Sequence, residues 1–276
     1  MLVWRWGRQA NQRPPMRPLS SWQVPRPVVG VFTDIDDTLT TDGAITPDAL
    51  QALADLKAAG LHVVPITGRP VGWSEPFAAS WPVDAIVAEN GAVGLQHSAA
   101  QGLRKLYQQD QATRSAHFTR MQQVLAHIER TVPGASRSQD SGGRETDIAI
   151  DHSEFTQLPQ SAIDAVVDHM QAKGMTATVS SIHINGWFGE HSKLTGARWI
   201  VRELWGRDLD AEIDRWVYVG DSTNDQLMFA HFPHSIGVAN IRRFEAQLSH
   251  PPRYITPSER GAGFAQVVQR LLNPGK

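Results

Sequence analysis

Apolar positions in this chain follow two rhythms. Short unbroken runs that stop at a polar residue alternate with stretches in which apolar residues recur at helical spacing. Val28-Val29-Gly30-Val31-Phe32-Thr33 runs up to Asp34 and reads as a strand buried on both faces of a parallel sheet. Thr46-Pro47-Asp48 opens a helix carrying Leu50, Leu53, Leu56 and Ala59, with Thr46 as N-cap, Pro47 at the first helical position and Gly60 as the stop. Leu61-His62-Val63-Val64-Pro65-Ile66 is the next strand and halts at Thr67-Gly68-Arg69-Pro70, which completes one βαβ unit. Asp84 to Ala88 is a third strand, ending at Glu89-Asn90-Gly91.

From about residue 95 to 187 the rhythm changes. A helix is predicted over 112–130, a loop over 133–143, a strand over 146–150 and a helix over 158–173 closed by Gly174. The alternating run from Met175 to Ile184 reads as strands with a turn. The α/β pattern resumes at Ser192 with a helix over 193–204, a strand Trp216-Val217-Tyr218-Val219 ending at Gly220-Asp221, a short strand Ser235 to Val238 and a helix over 263–272. The expected fold is α/β: a Rossmann-like, doubly wound parallel sheet formed by residues 27–94 and 188–276, with an α+β cap inserted over 95–187.

The chain of 276 residues is 41% hydrophobic and 20% charged, so a sizeable core is within reach. Its formal net charge of −2 calls for neither nucleic acid nor an anionic membrane as partner. The absence of cysteine excludes disulfides, thiolate catalysis and cysteine-ligated metals. Of the 11 histidines, the closest pair at helical spacing, His231 and His234, flanks Pro233, which argues against a two-histidine metal face. No run is long enough to span a bilayer. Residues 1–26 contain Arg5, Arg8, Arg13, Arg17 and Arg26 interleaved with Trp4, Trp6 and Trp22, and no acid. They resemble a transit peptide in charge, but their prolines break any long helix, so they read as a disordered arm or a start placed too early. With no secretory signal, a cytoplasmic location is expected.

Two acidic clusters stand at carboxyl ends of predicted strands: Asp34-Ile35-Asp36-Asp37-Thr38 and Gly220-Asp221-Ser222-Thr223-Asn224-Asp225. In open α/β sheets ligands bind at that edge. Either cluster alone can be ordinary turn chemistry. Both together, with no nearby base, call for a compensating hard cation, and Mg²⁺ suits a phosphate site. Thr67 closes a strand and Lys193 opens a helix; alone they read as a cap and a surface residue. A phosphoryl group in transfer needs a cation, a donor and a positive side chain, which Mg²⁺, Thr67 and Lys193 can supply.

These four elements in this order resemble the signature of the haloacid dehalogenase superfamily of phosphohydrolases, over about residues 28 to 270. The insertion between the second and third motifs, and Glu89-Asn90-Gly91-Ala92, are similar to the subfamily that includes sucrose-phosphate, trehalose-phosphate and mannosyl-3-phosphoglycerate phosphatases. The resemblance implies that Asp34 is the nucleophile and Asp36 the general acid and base. It implies that Asp34, the Asp36 carbonyl and Asp221 hold Mg²⁺, with Asp225 either a ligand through water or the partner of Lys193. Thr67 and Lys193 would bind phosphate oxygens, with Asn224 supporting the loop. Relatives often carry an acid before the lysine, where Ser192 stands here.

For the leaving group, Arg144, Glu145 and Asp147 of the cap are the main candidates, and the other reading of them is a solvated hairpin edge. Gly68, Arg69, Asn90, His183 and Asn185 are further candidates. Trp73, Trp81 and Trp187 suit either a sugar face or core packing. The expected activity is Mg²⁺-dependent hydrolysis of a small phosphorylated metabolite, a sugar phosphate, with neither nucleic acid nor membrane as partner. A phosphomutase using the same intermediate and a non-catalytic phospho-ligand binder are the alternatives. An arginine-rich arm that binds DNA is a third, and it predicts salt-sensitive binding lost with residues 1–26. The sequence gives no oligomeric state.

Overall fold

The computed structural model describes residues 15–25 and 27–275. A two-residue strand β1 (Arg17–Pro18) comes first, then β2 (Gly30–Thr33), a small hairpin of β3 (Thr40–Thr41) and β4 (Ala44–Ile45), helix α1 (Pro47–Ala58) and β5 (His62–Pro65). Helix α2 (Val71–Ser80), β6 (Ile86–Ala88) and a hairpin of β7 (Val93–Ser98) and β8 (Gly102–Tyr107) follow. Next are α3 (Gln111–Thr131), β9 (Ser136–Arg137), β10 (Ile148–Asp151), α4 (Gln160–Ala172), β11 (Thr176–Val179) and β12 (His183–Trp187). The chain ends through α5 (Lys193–Trp205), β13 (Trp216–Gly220), α6 (Gln226–His231), β14 (His234–Gly237), β15 (Tyr254–Ile255) and α7 (Arg260–Leu272).

The central sheet has the order β1-β15-β14-β13-β2-β5, and every pairing in it is parallel. Its strands are apolar on both faces because both faces are covered. Val31, Val63, Val217 and Val219 point to a cluster with Leu53 and Leu56 of α1 and Phe264 and Val267 of α7. Their neighbours Phe32, Val64, Trp216 and Tyr218 point the other way, to Ile200 of α5 and Phe229 of α6. From β2 the sheet grows toward β5 on one side and toward β13 on the other. That reversal opens a crevice at the carboxyl ends of β2 and β13, where doubly wound sheets bind ligands.

The cap is a second layer pair: an antiparallel sheet, β11-β12-β10-β9, under α3 and α4. Ile148 and Ile150 of β10 and Ile184 of β12 pack on Met121, Leu125 and Ile128 of α3 and Val166 of α4. Period-two alternation sends Asp147 and Asn185 to the opposite face, toward the core.

Three features differ from the sequence reading. The β7–β8 hairpin, expected within a cap starting at residue 95, pairs with β6, and Leu95 packs in the core cluster; the cap elements begin only at α3. Helix α2, which has Pro76 inside it, was not among the expected elements. Part of the supposed disordered arm is ordered: β1 pairs with β15, and Trp22 is fully buried in the core. The remaining arm residues, including Trp4, Trp6, Arg5, Arg8, Arg13 and Arg26, lie outside the described residues. No helix among the described residues is long and apolar enough to cross a membrane.

Candidate active site

Register places the first two carboxylates. Thr33 lies opposite Val219, and the Asp34 amide donates to the Val219 carbonyl at 2.8 Å. Asp34 and Asp221 therefore leave adjacent strands side by side. Lys193 arrives at the first turn of α5, whose N-terminus carries a capping box of Ser192 and Thr195. The turn is seated by a close backbone approach: a Cβ on Gly91 would stand 2.1 Å from the Ser192 carbonyl oxygen. Gly91 also has φ of 107°, so glycine is required there twice over.

Lys193 Nζ donates to Asp34 Oδ1 at 2.5 Å and to Asp225 Oδ1 at 2.7 Å, all three side chains being buried. Asp225 Oδ1 also takes the Tyr218 hydroxyl, and its Oδ2 accepts the amides of Asp221 at 2.9 Å and Ser222 at 3.2 Å. Asp225 is thus occupied on both oxygens as an organiser of the loop and of Lys193. Asp221 Oδ2 accepts from Asn240 Nδ2 at 3.0 Å, whereas its Oδ1 is buried without a partner. Oxygens of Asp34, Asp221 and Asp225 lie within 4.8 Å of one another.

Burial pushes the Asp34 carboxyl up to about 7, against the pull of Lys193 and with Asp225 and Asp36 adding to the rise. Burial, with Asp34 and Asp225 close by, raises Asp221 well above the ordinary carboxylate range. Burial alone would lower Lys193; Asp225 and Asp34 more than offset it and hold the ammonium charged. The orphaned Asp221 oxygen and an all-oxygen donor set fit a hard divalent cation.

Asp36 lies two residues beyond Asp34, and its carboxylate is gripped by the Arg69 guanidinium at 2.9 Å. Arg69 also reaches Glu154 at 2.7 Å and Asp140 at 3.3 Å, both from the cap, so one core arginine ties the acid to the lid above it. Arg69 is buried, and Asp36 and Glu154 hold it well above the ordinary guanidinium range against the cost of that burial. The hydroxyl of Thr67 accepts the Arg69 amide at 3.0 Å, so Thr67 acts as a turn cap with its proton still free to donate.

A second layer joins core to cap. Arg144 donates to Asp147 Oδ1 at 2.8 Å, to the Gly68 carbonyl at 3.0 Å and to Asp140 at 3.1 Å. Asn90 and Asn185 donate to Asp147 Oδ2 at 3.3 and 3.0 Å. Burial pushes Asp147 up to about 7 despite Arg144 beside it. His183 bonds Glu154 at 2.8 Å.

Asp34, Asp36, Gly68, Arg69, His183, Asn185 and Asn224 line one narrow enclosed cavity, with Ser222 bonding Asn224 at 2.8 Å. Glu145 belongs elsewhere: it pairs with Lys105 at 2.9 Å and Tyr107 at 2.8 Å on β8, facing away from the cavity. Trp81 and Trp187 pack in the core and the cap cluster, and Trp73 lies tilted against Phe77 with the Arg69 guanidinium 5.0 Å over its ring. Sequence reasoning missed Asp140 and Glu154, which carry no local signal. It also gave no role to Glu89, whose buried carboxylate accepts the amides of Val71 at 3.0 Å and Glu145 at 2.9 Å and so fastens cap to core.

The fold and this carboxylate–lysine site define a doubly wound α/β protein with a cap closed over an acidic centre. Residues 31–139 match the family model of haloacid dehalogenase-like hydrolases. Solved structures share its architecture end to end. Thermoplasma acidophilum 0175 is 16% identical at a TM-score of 0.66, covering 89% of this chain and 98% of that one. The sucrose-phosphatase from Synechocystis, solved with sucrose and phosphate, is 16% identical at 0.62, covering 88% and 97%. A haloacid dehalogenase-like hydrolase from B. subtilis is 14% identical at 0.60, covering 88% and 100%. A search of curated proteins by sequence finds no match.

Proposed function

We propose that this enzyme is a divalent-metal-dependent phosphatase of small phosphate monoesters, with sugar phosphates as the substrate class. The observation that carries the reading is the Lys193 ammonium held between Asp34 and Asp225, with the free oxygen of Asp221 alongside. Asp34 attacks phosphorus and becomes an aspartyl-phosphate as the ester oxygen leaves. Asp36 gives that oxygen its proton and later takes one from the attacking water. Lys193 and the Thr67 hydroxyl bear the charge of the phosphoryl oxygens. Asp34, the Asp36 carbonyl and Asp221 would hold Mg²⁺, with Asp225 behind them fixing Lys193. When bound, the ion supplies charge neutralisation for the phosphoryl group.

Asp36 starts from the Arg69 grip, so substrate must displace or share that guanidinium before proton transfer. Arg144, Asp147, Asn185 and Asn90 form the polar ceiling over the site. The structural likeness to a sucrose-phosphatase supports the sugar-phosphate class. The test is phosphate release after EDTA treatment and after return of Mg²⁺. Loss and full recovery are expected; turnover that survives EDTA contradicts the site.

A further inference from the structure

Two cavities meet at Asp36. The inner one holds Asp34 and Asn224. The outer one, of about 330 Å³, opens between the β3–β4 hairpin, the cap loop after β10 and the first residue of α7. Asp36, Arg69 and Ile182 line both and form the wall between them. If Asp34 attacks from the inner cavity and Asp36 protonates the departing oxygen, the departing alcohol lies in the outer one. This step rests on the phosphatase reading.

Three properties of the outer cavity bear on what it accepts. The first is size: about 330 Å³ gives room for a sugar ring with its hydroxyls. The second is a fixed aromatic wall. Phe155 is 64% exposed, yet Asp151 holds its loop by accepting the amides of Glu154 and Phe155, each at 2.9 Å. An exposed ring on a tethered loop offers a face to the C–H side of a sugar.

The third is charge. In its lining the four carboxylates Asp36, Asp37, Asp42 and Glu154 stand against two guanidiniums, Arg69 and Arg260, with Arg243 near Asp37 and His183 on Glu154 as the further basic groups. Neither guanidinium is spare. Arg69 is committed to Asp36 and Glu154, and Arg260 to Asp37 at 3.1 Å and Asp42 at 3.4 Å. Arg260 is locked in place by a left-handed backbone, φ 52°, and by its amide bond to Asn240 at 2.9 Å. A carboxylate or second phosphate on the leaving group would meet surplus negative charge in a partly desolvated space. Hydroxyls would meet ready acceptors, and an ammonium would be attracted.

We propose that the substrate is the phosphate of a single uncharged or amino sugar, and that Glu154 makes the enzyme reject esters whose alcohol carries a second anion. The experiment compares kcat/KM for glucose 6-phosphate, glucosamine 6-phosphate, glycerol phosphate and 6-phosphogluconate, with an aryl phosphate alongside, in wild type, Glu154→Gln and Phe155→Ala. Wild type is expected to favour the two sugar esters over 6-phosphogluconate by at least about tenfold. Glu154→Gln should narrow that ratio at least about threefold, since loosening of the cap alone would slow all esters together. Phe155→Ala, at an exposed position, should keep the fold and weaken the ring esters relative to glycerol phosphate. Equal or better use of 6-phosphogluconate, or a ratio that Glu154→Gln leaves unmoved, overturns the assignment while aryl phosphate turnover keeps the chemistry standing. No turnover of any ester, the aryl one included, overturns both.

Discussion

Lys193 is buried against two carboxylates, and without it both would lose their counter-charge. Breaking such a set from one side costs about 3–5 kcal/mol, because the partners stay buried and must either keep an unpaired charge or take up a proton. Lys193→Met should therefore lower the urea midpoint by that order when measured in EDTA; a variant as stable as wild type contradicts the ion-pair geometry. His191 makes the opposite case. Its two ring nitrogens are buried without partners against Trp187, and burial, aided by His117, pushes it down to about 4. Between about 4 and the ordinary 6.5 the unfolded chain binds a proton that the native one does not. The stability His191 contributes is thus intact above about 6.5 and lost as pH falls toward about 4, by up to about 3 kcal/mol. His191→Phe keeps the stacking and should flatten that slope in melts across pH 4 to 7. An unchanged slope would show that another group causes it.

At the level of elements, Trp22 and β1 test how far the ordered core extends. Trp22 is fully buried, donates to His234 at 3.2 Å and packs beside Tyr254. Trp22→Ala should cost about 3–5 kcal/mol, as for other large aromatic truncations; a melting temperature unchanged from wild type would return this segment to the status of an arm. The arm reading arose because Arg17 and Pro18 resemble neither a buried strand nor its neighbours in composition. The pairing that makes them one comes from Tyr254–Ile255, far along the chain. Strands β2, β5 and β13 were legible because each is an apolar run ending in an acid or a threonine, and their order brings those ends together. The β7–β8 hairpin was not, since the polar Gln96, Arg104 and Lys105 interrupt any core pattern along it. Misplacing that hairpin also misplaced Glu145, whose partners Lys105 and Tyr107 lie on it. Arg144 and Asp147 were found through the strand they precede. Asp140 and Glu154 needed the tertiary fold, because only the closed cap brings them to Arg69.

Across the whole molecule, Arg69 and Glu89 are the points where core and cap hold each other. Arg69 alone spans one core and two cap carboxylates, so Arg69→Ala should let the cap open more often. Faster amide hydrogen exchange over 147–154 and 182–185, with the β2 and β13 amides unchanged, is the expected signature. Exchange identical to wild type would mean that the Glu89 contacts suffice to hold the cap. An opening cap admits substrate, and a closed one brings Asp36 and the polar ceiling onto it. Everything the site is proposed to do converges on one atom, the Asp34 carboxylate oxygen that attacks phosphorus. Phosphate release from a panel of sugar phosphates and an aryl phosphate, with Mg²⁺, in wild type and Asp34→Asn tests it most directly. Release by wild type and a loss of at least about a thousandfold in the folded variant are the expected results. Substantial turnover by Asp34→Asn would contradict the central claim.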